Sequence, residues 1–144
     1  MLFRSDPYST KTCPDFWCVE TLERLVEHCR DREEGDAASR AEVHERYRGG
    51  AASELFTYST STAVRASLLA AGFYVAQGQA TGPKGQTTIA LTEGALRWRS
   101  SSLLGREWLE RWERSHARWP LSLTGENQTE YLERVRGHSQ FQPL

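Results

Sequence analysis

The chain has 144 residues, a length that suits one domain. Hydrophobic residues make up 38%, charged residues 26% and aromatics 10%, and no stretch approaches the run of about eighteen apolar residues that a membrane span needs. A net charge of −1 gives no bulk basicity from which to infer a nucleic-acid partner.

Two smaller signals concern compartment. The start, Met1-Leu2-Phe3-Arg4-Ser5-Asp6, carries one basic residue and no apolar run, so it does not read as a secretory signal. Cys13, Cys18 and Cys29 make an odd number, which argues against a disulfide scaffold and for a reducing cytoplasm. The 18 basic residues include only two lysines, Lys11 and Lys84. Arginine is the better bidentate ligand for phosphate, but a compositional bias of the genome produces the same skew.

Taken in chain order, Leu2–Ser9 opens as a few strand-like residues that break at Asp6-Pro7. Pro14 suits a first helical turn, where a missing N–H costs nothing. Trp17, Leu22, Leu25, Val26 and Cys29 then recur at helical spacing and predict an amphipathic helix over about 15–32. Residues 30–48 are rich in Arg, Asp and Glu, with only Val43 and Tyr47 as anchors, and read as a solvated excursion with a short surface helix. Glu54–Tyr58 is a β-prone run, and Ser59, Thr60 and Ser61 supply N-cap candidates for the next helix. Ala63, Val64, Ser67, Leu68 and Ala71 mark its small-residue face, and Gly72 is its natural stop. Phe73–Ala80 and Gln86–Leu91 flank turn residues and predict a hairpin from 73 to 91. Leu104, Trp108 and Trp112 predict a helix over about 104–118, ended by Pro120. Asn127–Arg136 predicts a last helix through Tyr131, Leu132 and Val135.

Strand, helix and strand within the first 58 residues predict a parallel α/β sheet, to which the hairpin adds one antiparallel strand near the edge. In such sheets ligands gather beyond the carboxyl ends of the strands. Asp6-Pro7-Tyr8 stands at that end of the first strand. A carboxylate there can accept hydrogen bonds from an amine, and an aromatic beside it can stack on a base. Asp-Pro also starts ordinary turns, and spacing alone favours that reading. Neither G-x-G-x-x-G nor a P-loop occurs, and the cysteines lack zinc spacing. Cys18 and Cys29 read as helix-face packing, and His28, His44, His116 and His138 as solvated histidines.

The ordered combination is more specific than its parts. Asp6-Pro7-Tyr8-Ser9, Pro14-Asp15-Phe16-Trp17, Phe56-Thr57-Tyr58-Ser59, Val64-Arg65, Ala71-Gly72-Phe73 and Gly82-Pro83-Lys84 follow one another. This series resembles the S-adenosylmethionine-dependent methyltransferase family that modifies the transfer-RNA wobble uridine, in its stand-alone and bifunctional MnmC-type forms. The resemblance covers about residues 3–92, interrupted by the charged stretch. It departs from the family at Cys13, where asparagine is usual, at Thr10, where proline is common, and at Gly85, where arginine is common. The family's glycine-rich cofactor loop precedes the Asp-Pro-Tyr strand. Only five residues precede Asp6, so the resemblance implies the distal half of a Rossmann-like methyltransferase sheet. Residues 1–92 then form a partial methyltransferase domain, and 93–144 a helical Trp/Arg-rich extension.

The resemblance also implies roles. S-adenosylmethionine is the cofactor, approached by Asp6 and Pro7, and Asp6 is the catalytic residue that positions the substrate amine. Tyr8 stacks on the splayed-out uracil, and Ser9, Tyr58 and Ser59 line the substrate site with Thr57. Lys84 meets a phosphate of the tRNA anticodon loop, and Trp17 packs the core. Trp98, Arg99, Arg106 and Arg111 could face RNA, but the interleaved Glu107, Glu110 and Glu113 favour a docking helix. The implied partners are tRNA and either a missing N-terminal half or an oxidase, with no membrane. Two alternatives stand beside this reading. One is a non-catalytic RNA-binding or interaction module built on half a methyltransferase. The other is a fragment of a DNA amino-methyltransferase, whose [Asp/Asn]-Pro-Pro-aromatic motif Asp6-Pro7-Tyr8 also approaches.

Overall fold

The computed structural model describes residues 2–4, 13–40, 52–80, 82, 85–119 and 125–143. Its sheet is built from β1 (Leu2–Arg4), β2 (Glu54–Thr57), β3 (Tyr74–Gly78) and β4 (Thr87–Leu91). The strand order is β1-β2-β4-β3. β1 runs parallel to β2, and β4 runs antiparallel to both its neighbours. The fold is therefore α/β, with parallel strands and one antiparallel strand, the arrangement the sequence predicts. The antiparallel strand lies one place in from the β3 edge.

That inner position explains why β4 is buried at every residue rather than at alternate ones. Both of its faces are covered. Leu55, Ala90 and Val75 are aligned across β2, β4 and β3 and belong to the main core. Phe56, Ile89 and Ala76 form the next row, on the opposite face, in a smaller cluster with Leu91 and Ala95. A one-residue step along a strand changes its face, so two layers of cover demand two hydrophobic rows.

The first helical stretch differs from the expected span. Pro14–Trp17 is a 3-10 helix, and Cys18 then takes an extended backbone before α1 (Val19–Arg40) begins. Asp15 O closes this corner by accepting from Thr21 Oγ1 at 2.9 Å and Cys18 Sγ at 3.0 Å. Trp17 is 3% exposed and packs in the core, edge-on to Phe16. The charged stretch is helical as far as Arg40, since Arg, Glu and Ala are good helix formers without tertiary help. Its continuation to Gly50, including His44 and the anchors Val43 and Tyr47, lies outside the described residues.

Between β2 and β3 comes α2 (Thr62–Ala71), in which Ala63 to Ala71 are all buried. A helix covered all round needs small or apolar side chains on every face, and this one is enclosed by the sheet, α1 and α5 (Gly125–Arg136). Gly72 ends it with φ +103°, and its N–H donates to Leu69 O at 3.0 Å. Only glycine reaches that conformation without strain. Ser61 holds the N-cap position without a side-chain cap bond.

After β4, Glu93–Ala95 and α3 (Leu96–Arg99) lead to Leu103 and Leu104, which run along the outer edge of β3. Leu104 N–H donates to Val75 O at 2.9 Å. α4 (Arg106–Glu113) is shorter than expected. Beyond it the chain folds back, so that Trp112 Nε1–H donates to Arg118 O and Arg118 Nε–H to Ser115 O. Pro120 lies outside the described residues. Leu104, Trp108, Trp112, Tyr131, Val135 and Phe141 share one core with Leu22, Leu68 and Phe73. No helix among the described residues is long and apolar enough to cross a membrane.

Candidate functional site

β1, β2 and β3 point their carboxyl ends the same way, and the start of β4 lies at that end too. Thr57, Thr88 and Gln77 form the last full row across β2, β4 and β3. They lie on the face that carries Leu55, Ala90 and Val75, the face against α2. This is the edge at which an open α/β sheet presents ligands.

Just past β2 the chain is pinned by short polar bonds. Ser59 N–H donates to Thr57 Oγ1 at 3.1 Å, and Ser59 O accepts from Thr88 Oγ1 at 2.6 Å. Ser59 Oγ accepts from Ser61 N–H at 3.3 Å. These bonds hold the loop against β4 and leave Tyr58 41% exposed at its crest. Of the expected site residues, Tyr58 and Ser59 are thus adjacent at the carboxyl edge. Asp6, Pro7, Tyr8, Ser9 and Lys84 lie outside the described residues.

Arg65 has a place at this edge that its motif did not announce. It projects from α2 yet is only 5% exposed. Its Nε–H donates to Thr88 Oγ1 at 2.9 Å and an Nη2–H to Thr87 O at 3.2 Å. Both partners are neutral. Burial holds its pKa below the usual arginine value, and the neighbouring Arg111 guanidinium pushes the same way. Arg65 forms part of a cleft of about 250 Å³, with Gln77 and Gln86 from the hairpin and Glu107, Trp108 and Arg111 from α4. Trp108 is 5% exposed, and its indole N–H has no hydrogen-bond partner among the described residues. The sequence signal for Arg65 was a lone cation in the run Ala63 to Ala71, which otherwise holds no charge.

Of the histidines, His28 and His116 are exposed as expected. His138 is not a solvated residue. It packs edge-on to Tyr74 with ring centroids 5.0 Å apart, and its Nδ1 accepts from Gln140 N–H at 3.2 Å. Cys29 is 3% exposed and packs the helix face.

Residues 40–93 match the family described as S-adenosyl-L-methionine-dependent methyltransferase. The match spans 54 of the 144 residues and is a likeness to that family over this stretch. It runs from the end of α1 through β2, α2, β3 and β4, and so contains Tyr58, Ser59, Arg65 and Thr88. The crystal structure of MNMC2 from Aquifex aeolicus is similar to the chain, with a TM-score of 0.53 at 18% identity. The likeness covers 94% of this chain and 38% of that one. At this identity it establishes a shared fold, and the chain spans well under half the length of that structure. No curated protein matches the sequence. The methyl donor named in that family's description carries a sulfonium, which is a cation. The described cleft holds Arg65 and Arg111, so it does not fit that group.

Proposed function

We propose that the chain is part of an S-adenosylmethionine-dependent N-methyltransferase acting on the 5-aminomethyl group of wobble uridine in tRNA, in the cytoplasm. The observation that carries this reading is the family match over β2–β4, the elements that build the carboxyl edge. The fold likeness to MNMC2 and the exposure of Tyr58 at that edge support it.

In this reading the substrate amine sits at the carboxyl edge on the β1 side, where Asp6 follows β1 in sequence. The amine must be neutral, because an ammonium has no lone pair to attack with. The Asp6 carboxylate accepts its N–H bonds, orients the lone pair and takes the departing proton. Tyr8 stacks on the uracil, and Ser9, Tyr58 and Ser59 line its far side. Lys84 meets a phosphate of the anticodon loop. Asp6 and Pro7 border the methyl donor. An oxidase acting on the same nucleoside is the partner this chemistry calls for when the amine arrives blocked.

Nucleoside mass spectrometry tests the reading. The protein, within its full reading frame, is incubated with S-adenosylmethionine and tRNA carrying the free 5-aminomethyl group. The expected result is one added methyl on that nucleoside, abolished by Asp6→Ala. An unmethylated nucleoside with folded protein overturns it, and methylation of DNA instead would favour an amino-methyltransferase acting on bases.

A further inference from the structure

Arg65 and Trp108, which line the cleft between α2, the hairpin and α4, each carry polar donors that the described residues do not fully satisfy. A guanidinium carries five N–H donors, and burying one without a counter-charge is costly. Thr88 Oγ1 and Thr87 O account for one Nε and one Nη2 donor and bring no negative charge. Among the described residues no carboxylate forms an ion pair with Arg65. The Trp108 indole N–H is buried without an acceptor among the described residues. A buried donor left unpaired loses its water and gains nothing in return.

Arg65, Trp108 and Arg111 all line one space. Two guanidinia at one small cleft repel each other unless something negative lies between them. The cleft's other polar lining is the amides of Gln77 and Gln86, which can donate as well. Glu107 sits one helical turn before Arg111, is exposed, and among the described residues pairs with neither arginine. At about 250 Å³ the space is smaller than an ordinary pocket for a drug-sized ligand. It suits a single oxyanion group rather than a whole nucleotide.

We propose that this cleft is a phosphate-class oxyanion site whose ligands are the guanidinia of Arg65 and Arg111, with Trp108 in its wall as the reporter. The tetrahedral oxygens of a phosphate match the planar donor forks of arginine, and charge-assisted bonds of this kind are stronger than neutral ones. The site rests on the cleft alone and stands or falls separately from methyl transfer. Two sources offer the same chemistry: the phosphodiester of a nucleic-acid strand and a free phosphate or phosphate monoester.

The test uses the full chain labelled with ¹⁵N, with the Trp108 indole resonance assigned through Trp108→Phe. Inorganic phosphate is titrated against chloride at matched ionic strength, and a dinucleoside phosphodiester is titrated in parallel. The expected result is a saturable shift of the Trp108 indole N–H at millimolar phosphate or diester, absent with chloride. Arg111→Gln, an exposed change that leaves the core intact, weakens binding about fivefold or more. Glu107→Gln removes an opposing carboxylate and tightens it about twofold. Saturation by the diester alone assigns the site to a strand backbone, and saturation by inorganic phosphate alone to a free phosphate group. No shift with either ligand, the same shift with chloride, or equal affinity in Arg111→Gln overturns the proposal.

Discussion

Gly78 and Thr87 face each other across β3 and β4 at the mouth of the hairpin. A Cβ built on Gly78 would lie 2.1 Å from Thr87 Oγ1 and 3.2 Å from Ile89 Cγ1. The hydroxyl cannot swing away freely, because it donates to Gln79 O at 3.0 Å. Glycine is therefore required by a neighbour, not by its own backbone angles. Gly78→Ala is expected to destabilise the chain by about 1–3 kcal/mol, the usual range for overpacking. Thr87→Ala removes the offending oxygen, so the double variant should recover part of that loss, a coupling typical of residues in contact. Urea denaturation of the four chains measures it. Equal costs of Gly78→Ala with and without Thr87 would rule out the steric account.

Elements meet the edge problem of the sheet in a similar local way. The outer edge of β3 exposes backbone donors and acceptors that invite pairing with another chain. Here Gln140 covers those of Val75, beside the Leu103–Leu104 segment. Its Oε1 accepts from Val75 N–H at 2.9 Å, and its Nε2 donates to Val75 O at 2.9 Å and Leu104 O at 2.8 Å. Gln140 lies in the 3-10 helix Ser139–Phe141, whose N-cap is the His138 side chain. Burial lowers the His138 pKa from its usual 6.5, against a smaller opposing pull from a hydrogen bond with the Phe73 backbone. The folded state thus prefers neutral imidazole, while the unfolded chain takes up its proton near pH 6.5. The stability this cap contributes is present above 6.5 and is lost as pH falls through the lower folded value. His138→Asn keeps a capping acceptor but does not titrate. It should remove the part of the stability loss that begins just below pH 6.5, as read by denaturant melts at stepped pH. A variant that tracks the parent across that range would show that His138 is not responsible.

Some of these elements were legible in the sequence and some were not. Gly72 after Ala71, and the alternation around Thr81–Gly85, are local signals, and the α2 stop and the hairpin follow from them. The tryptophan spacing placed Trp108 and Trp112 on one buried helix face. The partners of Gln140 lie 36 and 65 residues away, which periodicity cannot report. Arg65 was hidden for the same reason. Its bonds reach Thr88 and Thr87 across 23 and 22 residues. The position of Tyr58 and Ser59 at the carboxyl edge was legible from the motif that ends β2, whereas the Thr57–Ser59–Thr88 lock depends on pairing β2 with a strand three elements later.

At the scale of the whole molecule, the question is whether the C-terminal helices form a unit of their own or share the fate of the sheet. Trp112 decides it. The side chain is fully buried, stacks on Trp108 with centroids 6.2 Å apart, and meets Trp119 edge-on at 5.2 Å. Trp108 in turn stacks on Phe141 at 6.1 Å. The same core contains Val19, Leu68, Phe73 and Val75, so the aromatic cluster and the sheet bury each other. Tyr131 OH ties α5 to α1 by donating to Glu20 Oε1 at 2.7 Å. A core shared in this way leaves no boundary along which one half can melt first. Trp112→Ala should cost about 3–5 kcal/mol, as expected for a large aromatic truncated in a packed interior. In the parent chain, tryptophan fluorescence, which is dominated by the C-terminal half, and far-ultraviolet circular dichroism should report one coincident urea transition. If fluorescence changes at lower urea than dichroism, the C-terminal helices unfold as a separate unit and the single core is wrong.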